Sequence, residues 1–388
     1  MKNNCIKENP FVKACLSSAF SQEFNNFCRK DITLIHGLLK YTDWHPKVDI
    51  FQYLTCLTDL RNDKKTYFVF DASTEGFSPF KMNFFHILYA NCRKYQIPPN
   101  KIIFVSANMQ DHKNLKKYNL QNNIKESIHV FCFLSFRQMI ADLVEQDSAH
   151  FTDFDTQLKQ RRKQTEMHFS NKLGLSLSRV NREHRTLASY MLCRGMLKDC
   201  VLISQDTVSE QDLKYVAEKY GFDILDMYKW GQNLPIVADT EDFETNHALV
   251  LNSHLHDSTL FQIVNETHAN NYNNTSIFFS EKTFRSIAHC QPFLIFGQQD
   301  CNQKLKELGF ELYEEYFDYD FDSVDKVRKR YEVLLKSVSR AVTKLKGLNR
   351  LQRIDWKFAL KHKLQHNFEC VMQKDYDREK FLQLIEKL

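Results

Sequence analysis

The chain has 388 residues, too many for one ordinary core and suited to two domains. Hydrophobic residues make up 43% and charged residues 26%, with only 9 Gly and 7 Pro; this usage excludes disordered, collagen-like and Pro/Gly-rich architectures. The net charge is +5, no apolar run approaches the roughly 18 residues of a membrane span, and the N-terminus carries no apolar leader. The eleven cysteines form no C-x-x-C, so the expectation is a cytoplasmic protein with reduced thiols.

In chain order, residues 67–71 form a short apolar strand ending in Asp71. A helix over about 79–95 is closed by Pro98 and Pro99. A strand over 101–106, a helix over 111–118, a strand over 128–134 and a helix over 136–145 follow. Short continuous apolar strands alternating with helices predict a parallel sheet covered on both faces. Residues 146–171 are polar, hold the basic cluster at 159–163 without an apolar period, and are assigned as the interdomain connection.

The alternation restarts with strands at 173–178, 200–204, 260–264, 276–279 and 292–296. Helices are predicted at 183–197, 209–220 (stopped by Gly221), 281–289 and 301–308. Residues 231–257 suggest a long acidic loop, and strands vanish after 321. The predicted organisation is two Rossmann-like α/β domains, 1–165 and 172–320, with a basic helical tail over 321–388. Between Lys326 and Lys363 the tail has thirteen Lys/Arg against Glu332 and Asp355. An unpaired set of this size suits an anionic partner, either nucleic acid or an acidic glycan or glycolipid. An apolar stripe of Val333, Leu334, Leu335, Val338, Val342 and Leu345 has helical spacing.

No dinucleotide, P-loop, zincin or nucleophile-elbow motif occurs. His254, His256 and Asp257 have the spacing of a weak metal motif. The informative segment is 277–287. Ser280 stands at an N-cap position with Thr283 three residues on, and Glu281 and Lys282 fall in the first turn. Glu281 and Arg285 are four apart and share a helix face. Lys282 in a first turn opposes the helix dipole, and a bound phosphate would reverse that sign.

The segment Ser280-Glu281-Lys282-Thr283-Phe284, with Glu266-Thr267 before it and Gln291-Pro292-Phe293 and Leu308-Gly309-Phe310 after it, resembles the donor-binding half of GT-B glycosyltransferases. The fucosyltransferase-like type and uncharacterised phage and bacterial proteins are the nearest in pattern. Gln291 stands where those proteins often have His, and Ser280 where they have Thr. The turn at 178–185 resembles the family's Arg-bearing turn; Arg185 matches best, with Arg182 and Arg179 as competitors. The resemblance covers about 175–315. It implies transfer of a sugar from a nucleotide-diphosphate donor to a hydroxyl acceptor. Lys282 and Arg185 would hold phosphates, and Glu281 the ribose, with Glu266, Ser280 and Arg285 in the same donor site. No D-x-D flanked by apolar strands is present, so no metal or other cofactor is expected. A base at a strand end of the first domain would serve an inverting reaction, and Asp71 and Glu75 occupy such a place. The competing reading is a non-catalytic nucleic-acid-binding protein that uses the basic tail.

Overall fold

The computed structural model describes residues 33–38, 51, 57–73, 78–147, 153–178, 180–204, 206–236, 253–270, 275–373 and 375–388. The chain divides into two compact units. One comprises Met1–Met139, Asn271–Phe279 and Gln373–Leu388; the other comprises Ile140–Asn270 and Ser280–Met372. This differs from the sequence division at 165/172 and 320/321: the boundary falls earlier, residues 271–279 and 373–388 belong to the first unit, and the basic helices up to Met372 are part of the second unit rather than a separate tail.

The first unit contains β1 (Thr33–Leu38), α1 (Leu57–Asn62), β2 (Thr66–Ala72), α2 (Phe84–Lys94), β3 (Ile102–Ser106), α3 (Asp111–Gln121) and β4 (His129–Cys132), and the start of α4 (Ser135–Asp147). The four strands are parallel in the order β1-β2-β3-β4. Strand residues alternate between faces. Phe68, Phe70, Ile102, Phe104 and Val130 pack against Phe84, Phe85 and Leu88 of α2 and Leu115 of α3. Tyr67, Val69, Ile103, Val105 and Phe131 supply the opposite face. Burial on both faces explains why these strands are unbroken apolar runs.

Residues 276–279 are apolar but form no strand. Their backbone bonds to side chains and loops instead: Asn108 Oδ1 accepts from Ile277 N at 3.0 Å, and the carbonyl of Thr275 accepts from Asn108 Nδ2 at 2.9 Å and Asn114 Nδ2 at 2.7 Å. Asp111 orients both asparagines, at 2.8 and 2.9 Å. Burial pushes its carboxyl up to about 7, against the hydrogen bonds from Ser106 and Asn114.

The second unit adds α5 (Phe154–His168), β5 (Gly174–Ser178), α6 (Glu183–Met196), β6 (Cys200–Ser204), α7 (Glu210–Tyr220), α8 (Ile224–Gly231), α9 (Ser253–Asp257), β7 (Phe261–Asn265), α10 (Glu281–Ala288), β8 (Phe293–Phe296), α11 (Cys301–Glu307), α12 (Val327–Lys346), α13 (Arg350–Phe358) and α14 (Lys361–Met372). Its parallel sheet has the order β6-β5-β7-β8. The chain leaves β5 toward β6 and later returns to the other side of β5 as β7, so the strand order reverses between β5 and β7. Gly174 opens β5 where a Cβ would stand 2.7 Å from the Phe261 ring and 2.8 Å from Cys200 Sγ. Gly221 closes α7 at φ +70, as predicted.

The proposed connection at 146–171 is mostly α5, capped by Asp153, whose side chain accepts from Thr156 N at 2.8 Å. Its inward face is Gln157, Leu158, Arg161 and Thr165, which explains the missing apolar period. Most of the predicted loop at 231–257 lies outside the described residues, and its end is α9.

The thirteen tail cations are not an unpaired set: at least ten of them have partners, eight of these through residues distant in sequence. Arg340 pairs with Asp318 at 2.8 Å, Lys346 with Asp199 at 2.8 Å, Lys361 with Asp155 at 2.6 Å and Lys363 with Glu315 at 2.9 Å. Arg328 and Lys329 pair with Glu332. Several also satisfy orphan carbonyls at helix ends. Arg328 reaches Tyr220 and Gly221 after α7, Arg350 reaches Glu166 and Phe169 around the end of α5, and Arg353 reaches Leu345 and Lys346 at the end of α12. Arg330 and Lys357 are buried, donating to Ala269 O at 2.6 Å and His256 O at 2.8 Å. Repulsion within the set therefore no longer calls for an anionic partner. Of the predicted stripe, Leu334, Val338, Val342 and Leu345 are buried, while Val333 and Leu335 are half-buried.

The last helix, α15 (Asp375–Glu386), returns to the first unit. Phe381, Leu382 and Ile385 cover the second face of its sheet. Arg137 and Asp377 form a buried ion pair at 2.6 Å in the same unit. No described helix is long and apolar enough to cross a membrane. Phe381 is fully buried with its ring edge-on to Phe131 at 5.2 Å. Phe381→Ala should therefore destabilise the first unit by about 3–5 kcal/mol in denaturant unfolding; an unchanged midpoint would mean that the helix does not pack there.

Candidate functional site

Two helices begin where the second sheet reverses: α6 after β5, and α10 after the β7 side. In open parallel sheets this is where ligands bind, outside the carboxyl ends of the strands. Ser280 caps α10, its Oγ accepting from Lys282 N at 3.4 Å. In an ordinary capping box the third helical residue would reach back to the cap's own N–H. Here that residue is Thr283, and Glu266 does the work from the end of β7. The Glu266 carboxylate accepts from Ser280 N at 3.1 and 3.2 Å, Ser280 Oγ at 2.6 Å, Thr283 Oγ1 at 2.6 Å and Thr267 N at 3.0 Å.

Above this anchor two cations converge on one hydroxyl. Arg185 Nη2 donates to Thr267 Oγ1 at 3.2 Å, and Lys282 Nζ donates to the same oxygen at 3.4 Å. Arg185 is also held by Asn181 Oδ1 at 3.2 Å and the Glu266 carbonyl at 3.3 Å. Arg182 approaches His268 Nδ1 at 3.4 Å. The accumulation of positive charge is visible in its neighbours. Burial, with Arg182, Arg185 and Lys282, pushes His268 down to about 3. Burial and Arg185 push His184 to about 3, and its ring meets the Glu266 carbonyl at 3.1 Å. Burial lowers Lys282 itself, with Glu281 opposing and Arg185 adding to the shift.

The predicted i,i+4 pairing of Glu281 is replaced by an adjacent one: Lys282 Nζ lies 2.7 Å from Glu281 Oε1. Burial raises the Glu281 carboxyl, but Lys282 outweighs it and holds the group below the usual range. Arg285 lies one turn deeper, buried, with no hydrogen-bond partner at Nε or Nη2. Glu281 opposes its charge electrostatically, and burial, with the Arg285 charge adding to it, holds His256 and His289 well below the usual histidine value. Those two rings stack at 4.1 Å. His256 Nδ1 is 2.6 Å from Gln291 Oε1, Asp257 pairs with Arg161 at 3.3 Å, and His254 is exposed. His256 and Asp257 therefore have separate partners, the exposed His254 ring lies 5.1 Å from that of His168, and no group of three or more metal-ligating side chains occurs among the described residues.

The structure thus brings Arg182, Arg185, Glu266, Ser280, Glu281 and Lys282 together and sets Arg285 behind them. Arg179 and Glu75 lie outside the described residues. Asp71 is fully buried in the first unit, at the carboxyl end of β2, and its Oδ1 accepts from Ser73 N at 2.9 Å. Thr267, His184 and His268 were missed; Thr267 was within the Glu266-Thr267 pair, but only the fold shows that its hydroxyl faces both cations.

No family model matches the chain, and no curated protein matches it. Among solved structures, the alpha,alpha-trehalose 6-phosphate synthase from Burkholderia multivorans aligns with 97% of this chain and 82% of its own, at 13% identity and a TM-score of 0.41. A likeness at that score carries no inference about activity.

The buried histidines set the acid response. The unfolded chain protonates histidine near pH 6.5, whereas folded His184 stays neutral to about 3. The unfolded state then binds more protons between these values, so stability falls as pH falls through this window. His184 alone should cost about 1.4 kcal/mol per pH unit below 6.5. Buried Asp111, whose raised carboxyl takes up its proton in the same window, offsets part of this loss, so denaturation at pH 7.5 and 5 should show a smaller loss, or a larger gain, in His184→Gln than in the wild type; an equal pH response in the two would contradict the neutral buried ring.

Proposed function

We propose that this chain is a GT-B-type glycosyltransferase moving a sugar from a nucleoside-diphosphate donor to a hydroxyl acceptor. The observation that carries the reading is the convergence of Arg185 and Lys282 on Thr267, beside two helix starts at the strand-order reversal. Breaking the bond from the sugar's anomeric carbon to the diphosphate oxygen places negative charge on the leaving group. Fixed cations and helix N-termini stabilise that charge without reorganising during the reaction. In this reading Arg185 and Lys282 hold the phosphates. Glu281, kept ionised by Lys282, accepts from a ribose hydroxyl, as the resembled family implies. Asp71, or Glu75 four residues on, takes the acceptor's proton. No metal is required, because protein cations meet the leaving charge.

Calorimetry with UDP, GDP and CDP tests the donor site. Lys282→Ala and Arg185→Ala should each weaken binding of the preferred nucleotide by about 1.5–3 kcal/mol; unchanged affinity in both would overturn the assignment. Turnover should persist in EDTA, and activity that stops there and returns with Mn²⁺ or Mg²⁺ would overturn metal independence. Asp71→Asn should abolish turnover while keeping nucleotide affinity.

A further inference from the structure

We propose that Glu266 is a positioning residue, not a donor contact: its carboxylate keeps Arg185 and Lys282 aimed at a common point. This inference rests on the diphosphate reading of the site. Glu266 is fully buried. Its Oε1 takes Ser280 N and Thr283 Oγ1, and its Oε2 takes Ser280 N, Ser280 Oγ and Thr267 N. Neither oxygen is left to meet a ligand, which corrects the expectation that Glu266 binds the donor directly.

The residue ties the two cation-bearing helices through different atoms. Its side chain fixes the first turn of α10, which bears Lys282. Its carbonyl receives Arg185 Nε at 3.3 Å and faces His184 Nε2 at 3.1 Å, both on α6. Its bond to the Thr267 amide sets the hydroxyl on which both cations converge. Positioning of this kind matters because a displacement of about 1 Å can cost a hundredfold in rate.

Glu266→Gln is the diagnostic change. The volume is kept, but an amide NH₂ replaces one acceptor among neighbours that donate. Hydroxyls can turn to accept; the backbone N–H groups of Ser280 and Thr267 cannot. Glu266→Gln should weaken nucleoside-diphosphate binding at least tenfold. In that background Lys282→Ala should add less than threefold, because the lysine is already misaimed. Multiplication of the two effects would mean that Glu266 acts independently and would overturn the proposal, as would unchanged affinity in Glu266→Gln. Should this variant fail to fold, Thr283→Val removes one of the four donors at constant volume and should move the same readouts in the same direction by a smaller factor; no change would count against the proposal.

Wild-type protein that binds none of UDP, GDP and CDP would defeat the donor reading. The positioning claim is then decided by hydrogen exchange on the full chain. Glu266→Gln should speed exchange at the Thr267 and Lys282 amides while leaving the interior of α6 unchanged, and equal exchange at those amides would overturn it.

Discussion

A carboxylate removed wholly from water must be matched donor by donor, and the second unit is arranged so that Glu266 is. Four donors from three residues surround it: Ser280 N and Oγ, Thr283 Oγ1 and Thr267 N. Meeting this demand fixes where α10 starts, at what angle Ser280 caps it, and which way the Thr267 hydroxyl faces. The cation pair depends on those three facts. Sequence reasoning placed Glu266 among the ligand contacts because Glu266-Thr267 belongs to the pattern that resembles a donor-binding segment. Its actual partners are protein atoms.

The same accounting governs the basic helices. A run of cations in the sequence suggests a field looking for an anion, but most of these side chains either finish helices or pair with carboxylates of the same unit. Carbonyls at the ends of α5, α7 and α12 need donors once buried or half-buried against neighbours. Arg350, Arg328 and Arg353 provide them, and carboxylates at Asp155, Asp199, Asp318 and Glu315 meet others. Lys357 is the extreme case: its amine is fully buried among the carbonyls of His256 and Thr259 and the hydroxyl of Thr165. Burial lowers it to about 8 despite Asp257.

The strands were legible because double-sided burial writes them as unbroken apolar runs. β2, β3, β5, β6, β7 and β8 lie within a residue or two of their predicted bounds, and the Ser280 cap was visible from residue type alone. What escaped depends on partners distant in sequence. β1 contains Gly37, which weakens a strand signal. α5 buries Gln157, Arg161 and Thr165 because Ala288, Asp257 and Lys357 meet them. Residues 276–279 have a strand's composition, yet their hydrogen bonds go to Asn108 and its neighbours. In the site, the residue types were readable and their pairing was not. Spacing favoured Glu281 with Arg285, but adjacent Lys282 folds back to take the carboxylate.

The chain passes between its two units four times, at 139/140, 270/271, 279/280 and 372/373. Domains emerging from a ribosome generally fold in order from the N-terminus, but this chain topology delays completion of the first unit. The first sheet is synthesised early, but the helix that covers Tyr67, Val69, Ile103, Val105 and Phe131 follows every element of the second unit. The second unit has all its residues by Met372. The first sheet therefore keeps an aromatic and aliphatic face uncovered until residues 375–386 have been made, whereas the second unit already has all its residues by then.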